Sequence, residues 1–267
     1  MEVEPKTTGR PPKDCRILLN GIFWILRTGA AWRDLPERFG KWQTVYDHFN
    51  HWSKDGTFDA MLRRFQEATV DAEEIDEGLW CVDGTIVRAA RCAAGAVKKG
   101  SRANASSQAL GPCRGGLATK IHFLCDGKGQ PFMAVLSPGQ DHESRDLQEL
   151  LDSTELSGFE SDEPILPARL AGDKGNRAKW IDDRLLEQNI VPVIPSKKNE
   201  DRDSRAMPFD KAHYRRRCVI EQLIGWLKEC RRVATRYEKL ARNYLSMVKL
   251  SMIGRYLRII APDESRL

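Results

Sequence analysis

The chain has 267 residues, of which 41% are apolar and 30% charged, and a net charge of +5; that composition suits one large folded domain or two small ones and excludes wholesale disorder. Its longest apolar-dominated run, Ile17–Leu26, is ten residues long and holds Asn20 and Gly21, about half of what a membrane-spanning helix requires, and the polar start Met1–Asp14 lacks the apolar segment of a secretory signal. Seven cysteines at 15, 81, 92, 113, 125, 218 and 230 form no CxxC pair, which argues against a disulfide framework or a cysteine zinc knot and for a soluble protein of a reducing cytoplasm.

Residues 1–13 read as a flexible basic arm ending in Gly9-Arg10-Pro11-Pro12-Lys13. Three helices follow, on the spacings of Leu18, Ile22, Ile25 and Leu26, then Val45, Phe49 and Trp52, then Phe58, Met61, Leu62 and Phe65. Gly29, Pro36, Gly40 and Asp55-Gly56 separate them. This module, 14–75, carries Trp24, Trp32, Trp42 and Trp52, which are expected in the core rather than as base-stacking platforms. The acidic link Asp71–Glu77 ends it.

The middle changes character. Leu79–Val87 is β-like, and Leu117–Cys125 and Phe132–Leu136 flank the turn signal Asp126-Gly127-Lys128-Gly129 as a hairpin. The Ala-, Gly- and Ser-rich stretch Ala93–Gly116 reads as a mobile loop. Then come a helix over Glu143–Leu151, a strand over Leu166–Ala171 ended by Gly172-Asp173-Lys174-Gly175, a helix over Arg177–Gln188 and a strand over Ile190–Ile194. Helices fill Pro208–Ile260, and residues 261–267 form a tail. Three strands, helix, strand, helix, strand and terminal helix is the order of the ribonuclease H-like fold. The expected class is therefore α/β, with a mixed five-stranded sheet and flanking helices over 76–260. Fold alone does not give function.

Charge is segregated. Gly84–Cys125 contains no acid but holds Arg88, Arg91, Lys98, Lys99, Arg102, Arg114 and Lys120, a local +7, and Pro195–Arg242 nets another +7, leaving −9 elsewhere. Clustered cations gain by releasing counterions from a polyanion, although a solvated face is the plainer reading of any charge run. Against that background three acids stand out. Asp83 lies inside the apolar strand Trp80-Cys81-Val82-Asp83-Gly84-Thr85, where an unpartnered carboxylate is costly. Asp173 ends a strand, where ligands gather in α/β sheets, although turns also favour Asp. Glu221 sits on a helical stripe with Tyr214, Arg217, Gly225, Lys228 and Arg232, opposite Val219, Leu223, Trp226 and Cys230. The plainer alternative for that stripe is a solvated i,i+4 pair between Arg217 and Glu221. Together the acids make an oxygen-ligand site plausible, and carboxylates with few His or Cys nearby favour Mg²⁺ or Mn²⁺ over zinc. Two such ions could drive phosphodiester displacement. His122 and His142 are expected to be structural, Asp126 to belong to its turn, and Asp182 and Asp183 to lie on a helix surface.

The spacing Tyr214-x2-Arg217-x3-Glu221-x6-Lys228 resembles the signature of bacterial DDE-class insertion-sequence transposases. The closer resemblance is to the insertion-sequence-5 family. It is carried by Gly21–Pro36, by Val82-Asp83-Gly84-Thr85, by Gly115–His122 and by Ala171-Gly172-Asp173-Lys174-Gly175, over roughly residues 9–258. Asn176 stands where that family commonly has Tyr, and about nine residues precede the Gly-Arg-Pro-Pro-Lys arm where a further helix is usual. The resemblance implies a DNA transposase that cuts at the ends of its element and joins them to target DNA. It implies Asp83, Asp173 and Glu221 as the catalytic and metal-binding triad, with two Mg²⁺ ions that Mn²⁺ can replace. Tyr214, Arg217 and Lys228 are then expected at DNA phosphates, joined by the basic residues Arg232, Lys98, Lys99, Arg102, Arg114 and Lys120. The N-terminal helices are expected to bind element ends and assemble a homodimer. The partners are double-stranded DNA, as terminal inverted repeats and target, with no membrane, at the bacterial nucleoid in the cytoplasm. A transposase-derived DNA-binding regulator without catalysis is the alternative, and a general nuclease on the same fold a third reading.

Overall fold

The structure, a computed structural model, describes residues 14–94, 108–141, 143–152, 164–200 and 207–260. The arm at 1–13, the tail at 261–267 and most of the expected loop lie outside the described residues.

Three helices open the described chain: α1 (Cys15–Thr28), α2 (Trp42–Trp52) and α3 (Thr57–Asp71). Asp14 caps α1 by accepting the Arg16 N–H, and Gly29 closes it in the left-handed region at φ 71°, a conformation that favours glycine. Strand β1 (Trp80–Ala89) and the short helix α4 (Arg91–Ala94) follow, then β2 (Gly111–Cys113), β3 (Gly116–Asp126) and β4 (Pro131–Pro138). β1 pairs antiparallel with β3 from Trp80 opposite Asp126 to Arg88 opposite Ala118, and β3 pairs antiparallel with β4. The hairpin turn is held by Asp126, whose Oδ1 accepts from the Lys128 and Gln130 N–H groups while Oδ2 accepts from Asp76. β2 falls within the stretch expected to be loop: Gly111–Cys113 pairs with Gly116–Ala118 at the start of β3.

Helix α5 (Glu143–Asp152) leads to β5 (Arg169–Ala171), α6 (Lys179–Glu187) and β6 (Val191–Val193). β5 lies parallel to β1 and β6 parallel to β5. β4, β3, β1, β5 and β6 therefore run in that spatial order, the mixed ribonuclease H-like arrangement expected from the element order, but the sheet has seven strands rather than five, because β2 adds to β3 and a further short strand adds to β1. Pro192 is tolerated in β6 because that strand is at the sheet edge. The chain ends in α7 (Lys211–Arg216), α8 (Cys218–Lys228), α9 (Arg231–Ala234), β7 (Thr235–Arg236), which adds to β1, and α10 (Ala241–Ile260).

Strand alternation sends side chains to two different cores. Trp80, Val82, Leu124 and Leu170 point to the face covered by α5 and α6, where they meet Leu147, Leu150, Ile181 and Leu185. Cys81, Val87, Ile121, Phe123, Ala171 and Val193 point to the other face, under Ile220, Leu223, Ile224 and Leu227 of α8. That second core continues without a break through Tyr244, Met247, Leu250 and Ile253 of α10 into Leu18, Ile22, Phe49 and Phe58 of the first three helices. The middle of α10 has buried residues all round, from Asn243 to Ile253, whereas Leu257 and Ile260 at its end are exposed. The four N-terminal tryptophans pack half-buried against this core.

Candidate active site

Residues odd in number along β1 face α8, so Asp83 and Thr85 share the face of Cys81. Cys81 stands opposite Ala171, the last residue of β5, in the parallel pairing; Asp83 lies two residues further along β1, and Asp173 two residues past the end of β5. Asp173 is fixed where β5 ends. Its Oδ1 accepts from the Gly175 N–H at 2.8 Å, the Asn176 N–H at 3.2 Å and the Asn176 side-chain Nδ2 at 3.0 Å, and so caps a short 3₁₀ turn over Lys174–Asn176. Gly172 packs closely there: a Cβ would meet Val82 Cγ1 at 3.1 Å and Asn176 Cβ at 3.3 Å.

The third acid comes from α8. Arg217, at the bend between α7 and α8, puts Nη1 2.9 Å from Asp83 Oδ2 and Nη2 on Glu221 Oε1. The Tyr214 ring lies 5.8 Å from the same guanidinium, inside cation–π range. At the far end of α8, Lys228 Nζ donates to Thr85 Oγ1 at 2.6 Å. The polar stripe thus lies over β1, pinned at Asp83 and Thr85. Above it, a Cβ on Gly225 would meet nothing within 4 Å, so the glycine leaves open space.

The electrostatics follow from partial enclosure. Burial pushes the Asp83 pKa up, Arg217 opposes that, and the nearby Asp173 charge adds to it. Desolvation pulls Arg217 down, but Asp83 and Glu221 more than reverse it, and the guanidinium is held charged. Burial lowers the Lys228 pKa. Asp83 and Arg217 are largely enclosed whereas Glu221 is 56% exposed.

The donor chemistry fits a hard cation, since carboxylate oxygens alone are on offer. Two of the three acids already grip one positive group, Arg217. Among the described residues no three His, Cys, Asp or Glu side chains lie close enough together to hold a metal ion; Arg217 stands between Asp83 and Glu221.

Other expected DNA contacts fare differently. Arg114 is exposed in the turn before β3. Lys120 is buried and donates to the Asp141 carbonyl at 2.9 Å. Arg232 is a correction: it lies on α9, not on the α8 stripe, and is only 4% exposed, paired with Glu238 at 3.1 Å and donating to the Ala30 carbonyl at 2.7 Å. Its guanidinium joins α9 to the loop after α1 and presents no head group to DNA. The buried face of α8 is also rotated from the expected one, centred on Ile220, Leu223, Ile224 and Leu227, with Val219 and Trp226 only half-buried. Asp182 is not a surface residue, since it pairs with buried Arg177 at 2.6 Å. Lys98, Lys99, Arg102 and His142 lie outside the described residues.

Sequence reasoning missed two supporting residues. Thr85 carried no signal beyond its place after Asp83-Gly84. Asn176 was noted only as a departure; its buried amide anchors the second acid, and the Asp-x-x-Asn spacing of a side-chain-capped turn could have revealed it. His122 is structural, with Nε2 2.8 Å from both Ser137 Oγ and Asp146 Oδ2 on the α5 side of the sheet. No described helix is long and apolar enough to cross a membrane.

Comparison with known proteins fits this arrangement. The family described as "Transposase DDE domain" matches residues 75–253, and the IS4/5-family transposase description matches residues 1–62. An uncharacterized protein, y4sN, of Sinorhizobium fredii (strain NBRC 101917 / NGR234) is 40% identical over 93 residues, covering 34% of this chain and 70% of the relative. The insertion element IS402 uncharacterized 16.2 kDa protein of Burkholderia cepacia is 33% identical over 86 residues, covering 32% of this chain and 58% of the relative. Among solved structures, a pre-cleavage Mos1 transpososome and a Mos1 mariner paired end complex with Mn each overlap this chain at 15% identity. The first covers 98% of this chain and 82% of its own at a TM-score of 0.29, the second 97% and 82% at 0.28; superpositions that loose carry no argument about the site. The match over most of the chain settles the family: the chain belongs to the family described as "Transposase DDE domain".

Proposed function

We propose that the chain cuts DNA at the ends of its insertion sequence and transfers those ends to target DNA, with Asp83, Asp173 and Glu221 holding two Mg²⁺ ions that Mn²⁺ can replace. The observation that carries this reading is the tie of Asp83 on β1 to Glu221 on α8 through the two terminal nitrogens of Arg217. Asp173, two residues past the end of β5, supports it, since its charge acts on Asp83. When bound, the ions would activate a water or a 3′-hydroxyl and neutralise charge on the leaving oxygen.

The chain's own residues do the rest. The turn at 174–176 fixes the Asp173 carboxylate so that its second oxygen stays available. The rigid pairing of β1 with β3 and β5 sets Asp83, as preorganised charge stabilisation requires. Tyr214, Arg217 and Lys228 line the same face, and Lys228 pairs there with a hydroxyl rather than an acid, so its charge is available to a phosphate. Arg114, exposed before β3, and Lys98, Lys99 and Arg102 are the further candidates for phosphate contacts. The helical segment 14–75 would bind element ends and support a homodimer, in a cytoplasmic protein acting at the nucleoid.

Asp83→Asn, Asp173→Asn and Glu221→Gln are each expected to cut Mg²⁺-dependent nicking of an element-end duplex by at least about a thousandfold. Binding of the same duplex should survive. Normal nicking by any one variant would remove that acid from the triad.

A further inference from the structure

Arg217 occupies an unusual position. Its two terminal nitrogens bridge Asp83 and Glu221, which come from different elements. Its ring neighbour Tyr214 restrains it at 5.8 Å. Among the described residues its side chain serves no backbone carbonyl, unlike Arg232 and Arg236, whose donors reach carbonyls of Ala30, Ala109 and Glu238. A planar fork gripping two carboxylates satisfies the charge that a divalent ion would satisfy in the same place.

We propose that Arg217 is a resident counter-ion: in the metal-free protein it holds Asp83 and Glu221 together, and divalent ions bind only by displacing it. This inference rests on the reading of Asp83 and Glu221 as metal ligands. Arg217 is on this view a positioning residue. It keeps two like charges from repelling each other before the ions arrive, and it lowers their apparent affinity by the fraction of molecules in which the bridge is closed. The displaced guanidinium stays on the polar face of α8, where its charge is available to an approaching phosphate. By linkage, whatever the ions gain from a released arginine on DNA, the DNA gains from the ions.

The sign of the effect separates this from a structural role. A merely structural arginine, once removed, would loosen the acids and weaken metal binding. A competing one would strengthen it. The full-length, DNA-free protein is titrated with Mn²⁺, and free Mn²⁺ is read by electron paramagnetic resonance. Binding that Asp83→Asn removes is assigned to the triad. Arg217→Ala is expected to bind Mn²⁺ there about tenfold more tightly than wild type, the gain for a bridge closed in about nine molecules of ten. Arg217→Lys, a point charge without the fork, should fall between the two. Arg216→Ala is the control for charge alone, because Arg216 pairs with Asp76 instead and, like Arg217, acts electrostatically on Cys81 beneath the site; it should change affinity less than about twofold. Thermal melting gives a second readout. Arg217→Ala should melt below wild type without metal and close that gap as Mn²⁺ is added. Should Arg217→Ala fold poorly, Arg217→Gln carries the same test. Equal or weaker Mn²⁺ binding by the variant, or an equal gain in Arg216→Ala, overturns the inference while leaving the triad in place. Absence of Asp83-dependent Mn²⁺ binding in every variant removes the metal reading itself, and the counter-ion with it.

Discussion

Two arginine–carboxylate knots lie along the same C-terminal run, and they differ in what the cation touches. In the first, Arg217 donates to Asp83 and to a Glu221 that is more than half exposed. In the second, Arg232 and Glu238 pair at 3.1 Å with both side chains 5% exposed, and Arg232 also donates to the Ala30 carbonyl. Arg236 beside them is wholly enclosed and donates to the carbonyls of Gln108, Ala109, Glu238 and Lys239 and to Thr119 Oγ1. An arginine whose donors end on backbone carbonyls is part of the wall. One whose donors end on acids can be exchanged for another cation. The same residue types thus build a fixed joint in one place and an exchangeable site in the other.

The largest expected effect falls on the closed knot. Glu238→Ala leaves the Arg232 charge buried and uncompensated, and should cost about 3–5 kcal/mol in denaturant unfolding, a large part of a typical domain's stability. A loss under about 1 kcal/mol would mean that water reaches Arg232 and the knot is open like the first. Acidity offers a second view. Burial raises the Glu238 pKa, with Arg232 opposing. A carboxyl whose folded pKa is raised contributes stability that is fully present below the unfolded value near 4.5 and is lost as pH rises through the folded one. Mild acidification should therefore favour wild type relative to Glu238→Gln, which does not titrate.

The open knot should respond oppositely. Asp83→Asn keeps one side-chain oxygen, enough for either the Gly84 N–H that Oδ1 accepts or the Arg217 Nη1 that Oδ2 accepts but not both, and Arg217 keeps Glu221. Its stability should stay within about 1 kcal/mol of wild type even though nicking is lost. A drop as large as that of Glu238→Ala would place Asp83 among the structural residues.

The two knots were not equally legible in the sequence. Asp83 stood out because apolar strands disfavour it, and Asp173 because it followed a strand. The order of strands and helices gave the sheet. The Arg232 expectation came from projecting one continuous helix from Tyr214 to Arg232. The chain instead bends at Arg217 and breaks at Cys230, whose ψ of 104° is extended. Neither position carries a proline or glycine to announce it. β2 was hidden because Gly111 and Pro112 are turn residues by composition, and only the edge of β3 makes them a strand. β5 begins later than its apolar run, after Pro167. The partners of Arg232 and Arg177 are set by tertiary packing, which no local periodicity encodes.

The smallest expected effect tests whether position, rather than charge, separates the knots. Arg216 precedes Arg217, but its side chain is 48% exposed and pairs with Asp76 at 2.6 Å near the hairpin turn. Ion pairs this open pay side-chain entropy and salt screening for most of what they gain. Arg216→Ala should shift unfolding by no more than about 0.5 kcal/mol, less at high salt. Were it to cost several times that, the turn at Asp126 that also holds Asp76 would depend on Arg216, and α7 would be a strut for the β3–β4 hairpin. A near-zero cost leaves α7 tethered to the sheet through its N-cap Asp210, which pairs with Arg169 of β5 at 3.8 Å, and through Arg217 at its other end.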